Sequence, residues 1–408
     1  MKIIWQLFGV HISLTVIILL GLLAWLFWPR KYPRTRKRLL IFSGVVFLFS
    51  VILGLNTYWP REYDKNYLEV KLPADMDASP LKKLADSLGF HIGVALSPDP
   101  KYATEIIREF NSLVGENHFK PGKLLVDAAN WTFDFSGADK LMTFAEANEM
   151  RMRGHTLVWG KFPGMTFPKQ WIERISTATD PEATMKTLIK KYIETVMGHY
   201  KGRINTWDVV NEPMAGIELY PSIFTRSMGE NYIDFSFKIA REVDPGCSLF
   251  LNEQIVDYNG PQGKSFLELL ARLLDRGVPI DGVGLQSHHI NRVHDTELLK
   301  EYIRAIGNLG LKVEITELDA RLLLFGKEKD PYQAQGEQFK KIIEICLADP
   351  ACEGVTLWGL TDGANWMDAV PPFKWKSPNA PNIFDENMRK KPAYVGIWQA
   401  LKNAEVNQ

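Results

Sequence analysis

Two glutamates, Glu212 and Glu317, stand in polar motifs that follow apolar runs of the chain. The first lies in Asn-Glu-Pro at 211–213 and the second in Thr-Glu-Leu at 316–318. Hydrolysis of a glycosidic bond needs two carboxyl groups, one protonated to assist the leaving oxygen and one ionised to attack carbon or to activate water. Their environments must differ, because loss of solvation raises the pKa of a carboxyl group and hydrogen bonds to the carboxylate lower it. The two glutamates are therefore predicted to form a catalytic pair.

Amides, imidazoles and indoles stand at or near the ends of other apolar runs. His288 and Gln286 are expected to donate hydrogen bonds to Glu317, which suits a nucleophile, and Asn211 is expected to bind a sugar hydroxyl next to the reacting carbon. The motifs contain neither a Ser or Cys nucleophile with a matched base nor the His-rich cluster of a catalytic zinc, so no metal and no cofactor is expected. Other residues predicted near this mouth are Glu116, Asn117, His155, Trp159, Asn252, Glu253, Trp358, Asp362 and Trp366.

Short apolar runs alternate with amphipathic segments from about residue 78 onward. Helical patterns such as 103–110, 180–200 and 331–348 follow most of the runs. This alternation predicts a parallel sheet closed into a (β/α)8 barrel, whose C-terminal strand ends would gather the polar residues at one mouth. An open doubly wound sheet is the alternative, although the Gly-rich turn of a dinucleotide site does not follow the first run. The eight predicted strands are 90–96, 110–117, 154–160, 204–212, 248–254, 282–288, 312–319 and 354–360.

Charge and cysteine content narrow the function classes. Lys+Arg and Asp+Glu both number 48, and this balance gives no support for a nucleic-acid partner. Cys346 and Cys352 lie at the end of a predicted helix and the start of the next strand. They either close a small loop as a disulfide, which requires an oxidising compartment, or stay free thiols, and their spacing does not decide between the two. A strand-end glutamate such as Glu116 or Glu253, taken singly, forms an ordinary ion pair as often as a functional contact.

The N-terminal region has the pattern of a membrane segment. Two apolar stretches, 3–28 and 39–55, contain no Asp, Glu, Lys or Arg and approach the length that crosses a bilayer. The basic loop between them, 29–38, is expected to be cytoplasmic by the positive-inside rule, which places everything after it on the extracytoplasmic side. A cleaved signal peptide and a buried hydrophobic hairpin are the alternatives. The first stretch is too long for the apolar region of a signal peptide. Its helix would be apolar on all faces, which does not fit a hairpin buried in a soluble fold.

The predicted organisation has three parts. Residues 1–59 form a transmembrane helical hairpin that contacts the lipid bilayer, 60–77 are a linker, and 78–408 are the barrel domain. The protein would then be a membrane protein with two spans and an extracytoplasmic catalytic domain.

Motifs over roughly 78–403 resemble those of glycoside hydrolase family 10, the (β/α)8 retaining xylanases, and occur in the family's order. They are FNSLVGENHFK (110–120), RGHTLVWG (153–160), WDVVNEP (207–213), LQSHH (285–289), ITELDAR (315–321), TLWGLTDGANW (356–366) and IFDENMRKKPAY (383–394). The resemblance implies that Glu212 is the acid/base and Glu317 the nucleophile of an endo-1,4-β-xylanase. Cys346 and Cys352 also resemble a disulfide of some members. Sugar-binding positions are implied for Glu116, Asn117, Lys120, His155, Trp159, Gln286, His288, Trp358 and Trp366.

The sequence departs from the family's pattern around the catalytic pair. His118 stands where Met is usual, Gly160, Lys161 and Phe162 replace His-Ser/Asn-Gln, and 252–254 read Asn-Glu-Gln instead of Asn-Asp-Tyr. Phe162 cannot replace the hydrogen bonds of a Gln, and Gly160 is expected to open room. We therefore expect plain xylan to be handled less well than by a typical member. The alternative is that Phe162 points away and leaves the subsite unchanged.

Two function hypotheses follow from these observations. The first is a retaining hydrolase of xylan or of another β-glycan. The second is a non-catalytic, membrane-anchored glycan-binding protein derived from a hydrolase. A retired enzyme is free to lose either glutamate, and both Glu212 and Glu317 are present. The intact pair favours the enzyme.

Overall fold

The computed structural model of the chain describes residues 63, 65–69, 72–97, 102–370, 373 and 379–407. The larger of its two compact units comprises Tyr63–Trp366 and Asn379–Gln408. The other unit contributes only 367–370 and 373 to the described residues.

The predicted membrane hairpin lies outside the described residues. This holds for both apolar stretches, 3–28 and 39–55, and for the basic loop 29–38. Within the part of the chain that is described, no helix combines the length and the apolar character needed to cross a bilayer.

Eight parallel strands close into a barrel, as the sequence predicts. Neighbouring strands pair in sequence order, the first strand pairs with the eighth, and pairing of Gly282–Leu285 with the seventh strand completes the ring. The strands are β1 His91–Leu96, β2 Ser112–Gly115, β3 Arg151–Trp159, β4 Thr206–Asn211, β5 Ser248–Glu253, β6 Gly282–Leu285, β7 Lys312–Ala320 and β8 Cys352–Leu357. Nearly all of their residues are buried, because helices cover the outside and side chains fill the inside.

Helices follow the strands and form the outer layer. They are α1 Leu81–Ser87, α2 Ala103–Glu109, α3 Pro121–Leu124, α4 Ser136–Ala147, α5 Gln170–Ser176, α6 Pro181–Tyr200, α7 Ile223–Met228, α8 Asn231–Val243, α9 Pro261–Asp275, α10 Thr296–Gly307, α11 Pro331–Ala348 and α12 Pro392–Val406. Short 3-10 turns are Asn66–Glu69, Leu322–Phe325 and Trp366–Ala369. Short strands outside the ring are Leu125–Asp127, Thr132–Phe133, Met214–Ala215, Glu218–Leu219 and His288–His289.

Local sequence signals explain where the long helices begin. Asp180 and Asp330 each accept a hydrogen bond from a backbone N–H of the first turn, and Pro occupies the first helical position after each. A carboxylate satisfies an otherwise unpaired N–H there and favours the positive end of the helix dipole. Near the end of α11, Cys346 is joined to Cys352 of β8 by a disulfide, which the family resemblance implied and the spacing left open.

Part of the segment predicted as a linker packs on the barrel. The ring of Tyr67 lies 4.7 Å from that of Tyr332, and its hydroxyl donates to Asp385 Oδ2 at 3.3 Å. Lys65 forms an ion pair with Glu386 at 2.6 Å. The barrel domain therefore makes ordered contacts with residues before its predicted start at residue 78.

Candidate active site

The two predicted catalytic glutamates lie at the C-terminal side of the barrel. Glu212 follows the last residue of β4, and Glu317 lies in the second half of β7. Backbone bonds fix both, since the N–H of Glu212 donates to the carbonyl of Asn252 at 2.8 Å and that of Glu317 to the carbonyl of Gln286 at 3.0 Å. Glu212 has a φ of +50°, an arrangement that costs a non-glycine residue roughly 1 kcal/mol and persists where surrounding structure enforces it.

Glu317 is held as a carboxylate. It is buried, Asn252 Nδ2 donates to Oε1 at 2.7 Å, and His288 Nε2 lies 3.0 Å from Oε2. Burial by itself raises the pKa of Glu317, but these hydrogen bonds, with the positive potential of His155 and His288, hold the pKa below its usual value. A buried, ionised carboxylate with two fixed donors suits a nucleophile.

A second carboxylate, that of Asp319, stabilises the positive charge of His288. Its Nδ1 forms an ion pair with Asp319 Oδ1 at 3.0 Å, and Trp366 Nε1 donates to Asp319 Oδ2 at 2.8 Å. Burial alone would lower the pKa of His288, but Asp319 and Glu317 raise it to about 10. The imidazole is therefore a charged donor to Glu317 at neutral pH.

Glu212 has different surroundings. Its side chain is 17% exposed, whereas that of Glu317 is 6% exposed, so solvent reaches Glu212 more readily. Lys161 Nζ donates to Oε2 at 2.7 Å and Gln286 Nε2 donates to Oε1 at 3.1 Å. The sequence-based assignment of Gln286 as a donor to Glu317 is wrong. β6 ends at Leu285, and the amide at the next position reaches Glu212 and Asn211.

A chain of amides joins the two glutamates. Asn252 Nδ2 also donates to Asn211 Oδ1 at 2.8 Å, and Gln286 Nε2 lies 3.4 Å from the same oxygen. Both lone pairs of the Asn211 carbonyl are thus engaged, while its Nδ2 is buried without a partner among the described residues. That free N–H is a donor available to a bound hydroxyl, and the sugar-binding role of Asn211 stays a prediction.

A buried ionic layer supports the floor of the site. Arg153 donates to Asp208 at 2.5 Å and to Glu314 at 3.0 Å, and Arg151 binds Glu314 at 2.8 Å. Asp208 also lies 2.9 Å from His155 Nδ1. Although burial raises the pKa of Asp208, Arg153 and His155 hold it below its usual value. Asp208 therefore fixes the imidazole of His155 beneath the mouth.

The strand-two motif gathers beside β3. Asn117 Nδ2 donates to Glu116 Oε1 at 3.2 Å, and Lys120 Nζ donates to Asn117 Oδ1 at 3.0 Å. Lys120 also lies 5.4 Å from the ring centroid of Trp159. Burial lowers the pKa of Lys120, opposed by the negative charges of Glu317, Glu116 and Glu212. These polar groups adjoin an indole, a combination that suits a sugar hydroxyl and a sugar face.

Indole and imidazole rings pack together at the end of β8. The centroid of Trp358 lies 5.3 Å from that of His155, and Trp366 lies 5.3 Å from His288. The structure thus brings the residues of strands three, six and eight together around Glu317, as the barrel prediction requires.

The residues that depart from the family's pattern behave differently from one another. Gly160 does not open room, contrary to expectation, because a Cβ there would stand 2.4 Å from the Cβ of Ser222 at the start of α7. Phe162 is 58% exposed, and its ring makes a T-shaped contact with that of Trp159 at 5.5 Å between centroids. Glu253 is buried, which raises its pKa to about 8. His118 is partly buried, and its Nδ1 has no partner among the described residues.

Four residues that contact Glu212, Glu317 or a histidine beside them had no role predicted from the sequence. Asp319 lies two positions from Glu317 on β7, so the strand period predicts the same face. Asp208 lies within β4, and its contact with His155 crosses to the neighbouring strand. Asn252 was recognised at a strand end without its partners. Lys161 carried no signal beyond its departure from the family pattern, because its contact depends on the loop path after β3.

The fold and the site together define a class of protein. A closed parallel barrel with two carboxyl groups in contrasting surroundings at its C-terminal mouth is the arrangement of (β/α)8 glycoside hydrolases. The model of the family Glycosyl hydrolase family 10 matches residues 80–400. The chain belongs to glycosyl hydrolase family 10.

Individual relatives agree with this assignment. Endo-1,4-beta-xylanase B of Thermotoga neapolitana is 33% identical over 332 residues, which span 79% of this chain and 92% of that protein. The crystal structure of xylanase 10B from Thermotoga maritima superimposes with a TM-score of 0.72 at 30% identity, covering 81% of this chain and 100% of that one. Xylanase 10B from Thermotoga petrophila in complex with xylobiose gives 0.71 at 30% identity, covering 80% and 98%.

Proposed function

We propose that this protein is a retaining endo-1,4-β-xylanase that hydrolyses xylan or a related β-glycan. The observation that carries the proposal is the contrast between the two glutamates. Glu317 is buried between fixed donors that favour its ionised form, whereas Glu212 is more exposed to solvent. Different surroundings let two carboxyl groups take different roles, and the fixed donors around Glu317 support its role as the nucleophile. The relatives named above are xylanases, which supports the same substrate.

The proposed reaction has two steps. First, Glu317 attacks the anomeric carbon while Glu212 gives its proton to the departing glycosidic oxygen, which forms a glycosyl-enzyme ester and cleaves the chain. Then water attacks the same carbon, Glu212 takes its proton, and the bond to Glu317 breaks. The buried N–H of Asn211 donates to the hydroxyl next to the reacting carbon.

Reducing-sugar release from xylan by the purified full-length protein tests the activity. Proton NMR of the first product tests the stereochemistry, and we expect net retention of the anomeric configuration. A retaining enzyme also requires the carboxyl groups of Glu212 and Glu317 to lie about 5–5.5 Å apart. A protein that binds xylan but releases no sugar would instead be the non-catalytic glycan-binding protein. An inverted product would exclude the two-step reaction.

The membrane assignment is a second part of the proposal. Residues 1–59 are proposed to anchor the barrel, with the catalytic domain on the extracytoplasmic side. Its support is the absence of charged residues from 3–28 and 39–55 and the basic loop at 29–38. Protease added outside spheroplasts should digest the region after residue 60. Protection of that region, with cleavage within the loop, would reverse the orientation.

A further inference from the structure

We propose that Lys161 is a specificity-determining residue that binds a carboxylate substituent of the glycan beside the bond that is cut. The inference rests on the proposed hydrolase function and names the substrate class. The ammonium lies 2.7 Å from Glu212 Oε2 and 5.3 Å from the ring centroid of Tyr220. The Lys161 side chain is 21% exposed, so a ligand in the cleft can reach it.

The hydrogen bonds of Glu212 conflict with its role as an acid. Gln286 donates to Oε1 and Lys161 donates to Oε2, so each oxygen accepts from an N–H group. A protonated carboxyl group carries an O–H that needs an acceptor, and neither an ammonium nor this amide N–H can accept. Two N–H donors on these oxygens favour the carboxylate over the protonated form. Withdrawal of Lys161 from Oε2 would therefore help Glu212 to hold the proton that it delivers to the glycosidic oxygen.

The displaced ammonium needs another negative partner. A charged amine in a partly buried site is costly without a counter-charge. Glu253 is the nearby carboxyl of the protein whose charge acts on Lys161, but its oxygens already accept from the N–H groups of Met214 and Gln254 at 2.9 Å. Burial also raises the pKa of Glu253, which makes this carboxyl group a weaker counter-charge for the ammonium.

A carboxylate on the substrate meets this need. It would accept from Lys161 and release Glu212 Oε2 in the same event, so that binding of the acidic group prepares the acid for the first step. A neutral glycan supplies only hydroxyl groups, which do not replace the charge. The expected substrate class is a β-glycan that carries uronic acid, with the acidic group next to the cleaved bond.

The test compares one polymer in two charge states. The substrates are a uronate-substituted xylan and the same xylan after reduction of its carboxyl groups to hydroxymethyl groups, assayed with the full-length protein at constant ionic strength. We expect kcat/KM to be about ten-fold higher on the acidic polymer, which corresponds to about 1.4 kcal/mol. Lys161→Ser should abolish this preference, and Lys161→Arg should keep most of it.

Lys169→Ser is the matched control. Lys169 belongs to the same loop, is exposed, and its loss changes the net charge by the same amount, so it reports general attraction of an acidic polymer. Its preference should match that of the wild type. Equal wild-type activity on both polymers, or a preference that survives in Lys161→Ser, would overturn the inference. If the wild type cleaves neither polymer, the proposed hydrolase function has failed instead.

Discussion

The imidazolium of His288 is predicted to set the acid side of the activity profile. Its Nε2 lies 3.0 Å from Glu317 Oε2 within a buried site, and the ion pair with Asp319 keeps it charged. His288→Gln retains an N–H donor of similar reach but removes the positive charge. An opposite charge within about 4–6 Å lowers the pKa of a carboxyl group by about 1–3 units. Loss of the imidazolium charge should therefore cost the ionised form of Glu317 at least about 1–1.5 kcal/mol, the lower end of that range.

The sign of the effect follows from the direction of the native shift. The pKa of Glu317 is held below its usual value, against the effect of burial, so loss of positive charge raises it. Since each 1.4 kcal/mol is about one pH unit, the acid limb of kcat/KM should move up by about one unit. The limb is measured on an aryl xylobioside with a good leaving group, which reports the nucleophile of the free enzyme with little need for Glu212.

His199→Gln provides the control for this experiment. His199 makes the same kind of contact, 2.9 Å from Asp139, at an exposed position of α6. Its acid limb should stay at the wild-type position. The reasoning is refuted if the limb of a folded His288→Gln protein stays in place or moves down, or if both variants shift it equally.

Four other outcomes are expected. Glu317→Ala should lose essentially all turnover, with partial rescue by azide as a substitute nucleophile, and a variant that keeps wild-type turnover would exclude its role. Glu212→Ala should spare aryl glycosides with good leaving groups far more than xylan, and identical losses on both would reverse the assignment. Phe162→Gln should raise kcat/KM on unbranched xylo-oligosaccharides by up to roughly ten-fold if the family's hydrogen bonds are restored. No gain would mean that the exposed ring does not shape the subsite. Reduction of the Cys346–Cys352 disulfide should lower the free energy of unfolding by about 2 kcal/mol in urea titrations, as expected for so short a loop, and an unchanged midpoint would contradict this.

The sequence was sufficient for the barrel because its signals are local. Each strand is a short apolar run and each long helix has its own start signal, as at Asp180 and Asp330, so the alternation is visible without any long-range contact. The strand ends then indicated where Glu212 and Glu317 would meet.

The contacts within the site depend on loop paths that no local pattern encodes. Gln286 reaches Glu212 instead of Glu317, because it lies past the end of β6. The space expected beside Gly160 is filled by Ser222, which is 62 positions away and belongs to a different loop. Lys161 pairs with Glu212 because the loop after β3 brings it to the end of β4. Sequence distance hides such neighbours, although each contact is ordinary once the loops are placed.

In the amide chain between the two glutamates, contacts within the protein decide which amide atoms donate and which accept. Asn252 and Gln286 both turn their N–H groups toward a carboxylate and toward the single carbonyl oxygen of Asn211. Rotating the Asn211 amide would set N–H against N–H, so its orientation is fixed, and its buried N–H is left for an outside partner. The choice of ligand atom is thus made before any ligand arrives. An incoming oxygen with a free lone pair can accept a hydrogen bond from the Asn211 N–H, whereas a group that can only donate would face another donor.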